Sequence, residues 1–361
     1  MNRVYNFSPG PATLPLPVLE QVKEELLDYR GKGMSVLEMS HRSKEYGEIN
    51  AAAEARCKRL LGVDEGYRVL FMQGGASTQF ALVPLNFLSD RSVGDYVLTG
   101  NWSLKALKEA KGIGQVHVAA SSEEEGFRRI PHQTEMVLSD GAAYVHITSN
   151  NTIYGTQFHA WPEVGDRPLV ADMSSDIMSR PFDAEKFALV YAGAQKNIGP
   201  AGVTVVLLRE SWLDKVVRSL PTMFQYKTFV EKDSLYNTPP VFAVYIVNLV
   251  LKWIEETGGL EMMEQRNQQK ASYVYDAIDR SDAFYRGYAA SNSRSLMNIT
   301  FNLPDEELSK RFIQEAAEQG LVGLKGYRTM GGIRASTYNA MPVEGCRLLA
   351  EVMDDFVARN G

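Results

Sequence analysis

The chain has 361 residues, of which 45% are hydrophobic and 23% charged, and its formal net charge is −6. That length exceeds one average domain and that balance is typical of a soluble globular protein, while the acidic excess argues against a nucleic-acid surface, which needs a basic face. Two cysteines, Cys57 and Cys346, make neither a disulfide framework nor a metal framework and fit a reducing, cytoplasmic setting.

The opening MNRVYNFSPGPATLP has no apolar signal core and no arginine-rich amphipathic character. Within it Ser8, Pro9, Gly10 and Pro11 form an irregular stretch, because proline fixes φ and removes a donor while glycine permits unusual angles. Helical spacing of apolar residues predicts a helix over Leu16–Tyr29. MSHRS then sets His41 and Arg42 side by side on a loop before a polar helix, Glu45–Leu61. Such a pair fits either a solvated turn or a fork for carboxylate or phosphate. Tyr67–Met72 (YRVLFM) is a strand, and QGGAST leads from it into a helix over Gln79–Leu88. Strand, glycine turn and helix N-terminus converge free amides on an anion, although GGAST alone is a weak motif.

Asp95–Gly100 is the next strand, followed by Asn101, Trp102 and Ser103. Trp102 is either a core residue or a flat partner for a planar ring. Strands over Gly114–Ala119 and Ala143–Thr148 continue the alternation, and NNTIYGTQ sets Asn151, Thr152 and Gly155 at the end of the second. A strand over Pro168–Ala171 ends at Asp172, which alone reads equally as a turn or cap residue. Phe187–Tyr191 (FALVY) and GVTVVLLR are continuous apolar runs, the pattern of strands buried on both faces, and between them the glycine-punctuated loop YAGAQKNIGPAG carries Lys196. Alone, Lys196 fits a solvated loop lysine. Held among small residues at a strand end it loses hydration, so its amine is more readily neutral and nucleophilic. With Asp172 on the preceding strand, the pair fits pyridoxal phosphate chemistry, in which the acid keeps the pyridine nitrogen protonated and the lysine bonds the aldehyde. Gln195 can donate its amide to the cofactor phosphate. From Tyr67 to Arg209 the candidate residues fall at strand C-terminal ends, the crevice where open α/β sheets bind ligands.

Beyond Arg209 the spacing predicts a helix over SWLDKVV and then a polar, aromatic segment ending in YNTPP, where Asn237 and Thr238 are held extended ahead of proline. A buried helix follows over Val241–Glu256. Its longest apolar run, VFAVYIVNLVLKWI, is too short to cross a bilayer and carries Asn248 and Lys252, so no membrane association is expected. Gly258 and Gly259 end that helix and mark a boundary. The expected organisation is an N-terminal arm over 1–15, a large domain over 16–258 and a small domain over 259–361. The last part reads as a strand (Leu296–Phe301), a helix (Asp305–Gln319), a short strand (Leu321–Leu324), the segment GYRTMGGIRAS with Arg328 and Arg334, and a helix over Pro342–Arg359.

FSPGPATLP, MSHRS, GGAST, NWS, NNTIYGTQ, VADMSSD, GAQKNIGPAG, YNTPP and GGIRASTYNAMP occur in this order over essentially the whole chain. Together they resemble the class V, fold type I pyridoxal phosphate-dependent aminotransferases. The resemblance implies an α/β fold, a large domain with a mostly parallel mixed sheet flanked by helices and a smaller C-terminal α+β domain. It implies pyridoxal 5'-phosphate bound by Ala76, Ser77, Trp102, Thr152, Asp172, Gln195 and Lys196, with Asn237 and Thr238 reaching the cofactor phosphate of a neighbouring subunit. Catalysis falls to Lys196, Asp172 and Trp102. Arg334 takes the α-carboxylate, while His41 and Arg42 from the neighbouring subunit, with Arg328, read the distal acidic group.

The implied reaction is reversible transfer from L-glutamate to 3-phosphohydroxypyruvate, giving O-phospho-L-serine and 2-oxoglutarate on the route to L-serine, in a homodimer with shared sites and no metal. The phosphorylated threonine precursor of vitamin B6 stays open as a second substrate. Some members carry arginine where this chain has Ser77, which leaves the grip on the substrate phosphate open. A cysteine desulfurase of the same class needs a loop cysteine, and both cysteines fall in expected helices. A nucleotide-binding module without catalysis leaves the Asp172 and Lys196 pairing unexplained.

Overall fold

The computed structural model describes residues 3–361, so the first two positions of the expected arm lie outside the described residues. In chain order the first elements are β1 (Tyr5–Asn6), α1 (Leu16–Glu25), α2 (Lys44–Leu61), β2 (Tyr67–Met72), α3 (Gly75–Phe87), β3 (Val93–Leu98), α4 (Asn101–Lys111), β4 (Gln115–Ser121) and β5 (Tyr144–Thr148). A small hairpin, β6 (Asn150–Asn151) and β7 (Thr156–Gln157), is followed by β8 (Leu169–Asp172), β9 (Phe187–Gly193), β10 (Thr204–Arg209), α5 (Tyr226–Glu231), α6 (Val241–Glu256) and α7 (Gly259–Asp279). The chain closes with β11 (Arg286–Gly287), β12 (Asn298–Asn302), α8 (Glu306–Glu318), β13 (Leu321–Val322), β14 (Ile333–Ser336) and α9 (Val343–Asn360).

Seven strands form the central sheet in the order β2, β10, β9, β8, β5, β3, β4. Only β10 runs antiparallel to its neighbours, and the other ladders are parallel. Both faces are apolar for a reason visible along one strand. In β2, Val69 and Phe71 enter the core under α2 and α6, while Leu70 and Met72, on the opposite face, enter the core under α3. A third core gathers α7, α8 and α9 on the small sheet of β11, β12 and β14. The chain is thus a mixed α/β protein with a mostly parallel central sheet flanked by helices. Among the described residues no helix is long and apolar enough to cross a membrane, and no group of acidic, histidine or cysteine side chains could hold a metal.

Several elements depart from the sequence expectation, among them a short helix, α5, within the expected polar, aromatic segment. The helix expected over Leu16–Tyr29 stops at Glu25, because Tyr29 turns in edge-on to Tyr245 of α6 at 5.9 Å and Arg30 takes φ 51°. SWLDKVV is a 3-10 turn over Glu210–Lys215, not an α-helix: Trp212 stacks on Phe87 of α3 at 3.6 Å and the Val217 amide donates to Asn86 O at 2.9 Å, which draws the chain off a helical path. The helix expected from Gln79 begins at Gly75, so Ala76 and Ser77 lie in its first turn.

The N-terminal stretch is joined to the far end of the chain. Tyr5 and Asn6 pair in parallel with Leu321 and Val322, and Phe7 is fully buried in the core under α7, α8 and α9. Replacing that ring by Ala leaves a cavity with nothing to fill it. Phe7→Ala should destabilise the protein by about 3–5 kcal/mol in urea unfolding, and an unchanged midpoint would show that β1 is an ornament of the fold.

Candidate active site

A cleft of about 270 Å³ opens at the C-terminal edge of the central sheet, where the ends of β2, β3, β5, β8 and β9 deliver its walls. β8 ends at Asp172, which is 5% exposed. Its Oδ1 accepts from the Ser174 amide at 2.9 Å and the Ser174 hydroxyl at 2.6 Å, and that hydroxyl in turn accepts from the Gly193 amide of β9 at 3.1 Å. These bonds fix the carboxylate and leave Oδ2 without a partner among the described residues. Burial raises the acid above the ordinary carboxylate range, opposed by the Ser174 donors and by Lys196.

Lys196 stands three residues after β9, on a loop pressed against α6: a Cβ at Gly199 would lie 2.6 Å from Val247 Cγ2, so only glycine allows the approach. The half-buried Lys196 donates from Nζ to Thr152 Oγ1 at 2.5 Å. Lost hydration pushes its amine down to about 8, with Asp172 pulling the other way and Arg334 adding to the push. Trp102, in the first turn of α4, forms another wall. Its ring carries Lys196 Nζ at 5.5 Å and Lys105 Nζ at 4.5 Å.

On the β2 side, Gly74 takes φ +90°, and a Cβ there would fall 1.9 Å from Thr78 Oγ1. That tight turn starts α3 directly at the cleft, with Gly75, Ala76 and Ser77 on its first turn and their amides free of helical partners. Gln195 also lines the cleft, and its carbonyl accepts from the Ala12 amide at 2.9 Å, so the N-terminal stretch lies against the lysine loop.

Thr152 joins this cleft to a second recess. Its carbonyl accepts from Arg334 Nη1 at 3.3 Å, and Arg334 lines that recess with Tyr288, Thr300, Asn302 and Tyr327. Arg334 lies on β14 and is 7% exposed, its Nε is buried without a partner, and no carboxylate pairs with it among the described residues. A dehydrated guanidinium without a counterion is expensive, and burial accordingly lowers its affinity for its proton. Thr148 Oγ1 and Trp102 Nε1 are likewise buried without partners. Orphaned polar groups collected on two adjoining recesses mark a place built for a polar ligand.

One chain therefore brings together Ala76, Ser77, Trp102, Asp172, Gln195 and Lys196, with Thr152 bridging to Arg334. His41, Arg42, Asn237, Thr238 and Arg328 line neither recess; Arg42, Thr238 and Arg328 are exposed. Sequence reasoning missed Thr148, Asn150, Ser174 and Ser175, which also line the cleft. Ser174 had a signal, since a serine two residues after an aspartate at a strand end completes an Asx turn. Thr148 had none beyond its position at the end of AYVHIT.

Residues 4–349 match the family model for aminotransferase class-V. A phosphoserine aminotransferase of Herpetosiphon aurantiacus is 59% identical over 99% of both chains. The solved phosphoserine aminotransferase of Bacillus circulans subsp. alkalophilus is 56% identical, covers 99% of each chain and superposes with a TM-score of 0.97. A pyridoxal phosphate-bound phosphoserine aminotransferase of Trichomonas vaginalis is 39% identical over 98% of this chain and all of its own, with a TM-score of 0.92. With its fold, its cleft and these likenesses in agreement, the chain belongs to the class-V aminotransferase family.

Proposed function

We infer that this chain transfers an amino group reversibly from L-glutamate to 3-phosphohydroxypyruvate, giving O-phospho-L-serine and 2-oxoglutarate. Its family makes it a transaminase dependent on pyridoxal 5'-phosphate, and relatives 51–59% identical over nearly their full length are phosphoserine aminotransferases. The observation that carries the reading is a partly dehydrated Lys196 on the same cleft as a buried Asp172 with one oxygen unengaged.

The walls fit that cofactor. The free amides of α3 suit a phosphate, the Trp102 indole suits a flat ring, and Asp172 Oδ2 suits a protonated ring nitrogen. When bound, the cofactor supplies an aldehyde that takes up an amine and a ring that draws electron density from the substrate. Asp172 holds the proton on the ring nitrogen, and Ser174 holds Asp172. Thr152 accepts from Lys196 with Oγ1, and its hydroxyl is placed as a donor to the cofactor's phenolic oxygen. Lys196 Nζ, neutral more often than an ordinary lysine, moves the proton from the substrate Cα. Arg334 gains in the substrate α-carboxylate the counterion it lacks. Gln195, Ala76 and Ser77 hold the cofactor phosphate. The chain's cysteines do not suit desulfurase chemistry: both are buried and each thiol is pushed up to about 12 by burial.

The distal group requires a second copy of the chain. A phosphate beside a carboxylate can be held by a chain of net charge −6 only through a local cationic cluster. His41 and Arg42 stand outside the cleft of their own chain, as do Asn237 and Thr238. We read these four as serving the neighbour: His41 and Arg42 grip the phosphate or γ-carboxylate together with the neighbour's own Arg328, and Asn237 and Thr238 complete the cofactor phosphate site. The protein is then an isologous homodimer with two shared sites, working in the cytoplasm.

Three outcomes test this reading. The purified protein should absorb in the visible, and the band should shift on adding O-phosphoserine; a colourless protein indifferent to added pyridoxal phosphate would refute the assignment. Asp172→Asn should keep the bound cofactor yet lose roughly a hundredfold or more in turnover, since an amide cannot hold the ring's positive charge; near-normal turnover would mean that another acid does this work. Mixing inactive Arg42→Ala and Arg334→Ala chains should restore about a quarter of full activity, because random exchange makes half the dimers mixed and each has one intact site. No recovery after verified exchange would place both arginines on one site from one chain.

A further inference from the structure

The lysine loop and the arginine strand are joined a second time, behind the cleft, by side chains that the transamination reading leaves unused. Asn197, next to Lys196, accepts with Oδ1 from the Asn339 amide at 2.8 Å and donates to Ile177 O at 2.5 Å. Asn339 donates from Nδ2 to Met178 O at 2.7 Å and accepts from Asn267 of α7 at 2.8 Å, and Asn267 also donates to Ser179 O at 2.9 Å. Three residues further along α7, Lys270 is fully buried and donates to the carbonyls of Thr337 and Tyr338 at 2.9 and 2.7 Å. These side chains are all buried, and Thr337 follows directly on the strand that carries Arg334.

At the cleft Thr152 links Lys196 to Arg334, and Asn298 and Thr300 on the strand beside Arg334 are tied to Asn150 and Tyr154. The asparagine chain adds an attachment made by the lysine loop itself. We propose that Asn197, Asn339, Asn267 and Lys270 form a bolt that presets the separation of Lys196 and Arg334, so that a substrate whose carboxylate sits on Arg334 has its amino group and Cα beside Lys196 without closure of the C-terminal unit onto the sheet. The four are positioning residues: none lines the cleft or the Arg334 recess. The partners also suit a fixed joint. Three of the acceptors are main-chain carbonyls of the segment after Asp172, so the same joint also holds the chain that leads away from the acid.

This inference rests on the reading of Arg334 as the carboxylate site, and a double-mutant cycle in the holoenzyme separates the two. Arg334→Lys alone should raise KM for L-glutamate; an unchanged KM would overturn the Arg334 reading and the bolt with it. Asn339→Ala should raise the same KM about tenfold and leave kcat within about twofold, the pattern of lost binding in both ground and transition states. In the Arg334→Lys background the further rise should vanish, since the two changes act on one contact. Additive effects, or a fall in kcat at constant KM, would show a merely structural role and overturn the proposal. Should Asn339→Ala not fold, Asn339→Ser and Asn267→Ser make the same comparison with smaller losses, and the same two outcomes decide.

Discussion

The structure turns on an amine and a carboxylate taken out of water at the ends of adjacent parallel strands. Dehydration disfavours both charges, raising Asp172 and lowering Lys196, while each draws the other back toward its charged form. Neither is neutralised by a direct ion pair; Asp172 is held by Ser174 and Lys196 by Thr152. That separation keeps both groups available. Had they paired, the acid would have no oxygen for a ring nitrogen and the amine no free electron pair for a carbonyl carbon.

The remainder of the fold holds this arrangement in place. Helices cover both faces of the sheet, so polar groups that share the cleft emerge at the C-terminal ends of the strands. Glycines at 74 and 199 allow α3 and the lysine loop to approach closer than any side chain would permit. Arg334 arrives from the opposite direction, on a strand of the third core, and its missing counterion is the strongest sign that the recess beside the cleft expects an anion.

Much of this was legible in the sequence because apolar runs report burial and their ends report where polar residues emerge. Phe187–Tyr191 reads as a strand covered on both faces and Pro168–Ala171 as an apolar strand ending at Asp172, and β9 and β8 are buried strands at these places. What was not legible depends on contacts between distant segments. The pairing of Tyr5 with Leu321 involves strands of two residues, too short for any periodicity, and is held by Phe7 in a remote core. SWLDKVV has helical spacing, yet the stack of Trp212 on Phe87 wins. Thr152 carried no mark in the sequence of its bridge between Lys196 and Arg334, since its hydroxyl serves one and its carbonyl the other.

The central claim is that Lys196 is the amine that carries the cofactor. Borohydride reduction of the purified holoenzyme, followed by proteolysis and mass spectrometry of the peptides, tests it most directly. The account predicts one modified peptide containing Lys196 and unmodified peptides for every other lysine. A stable modification on Lys105, Lys186 or Lys270 with Lys196 untouched would contradict it.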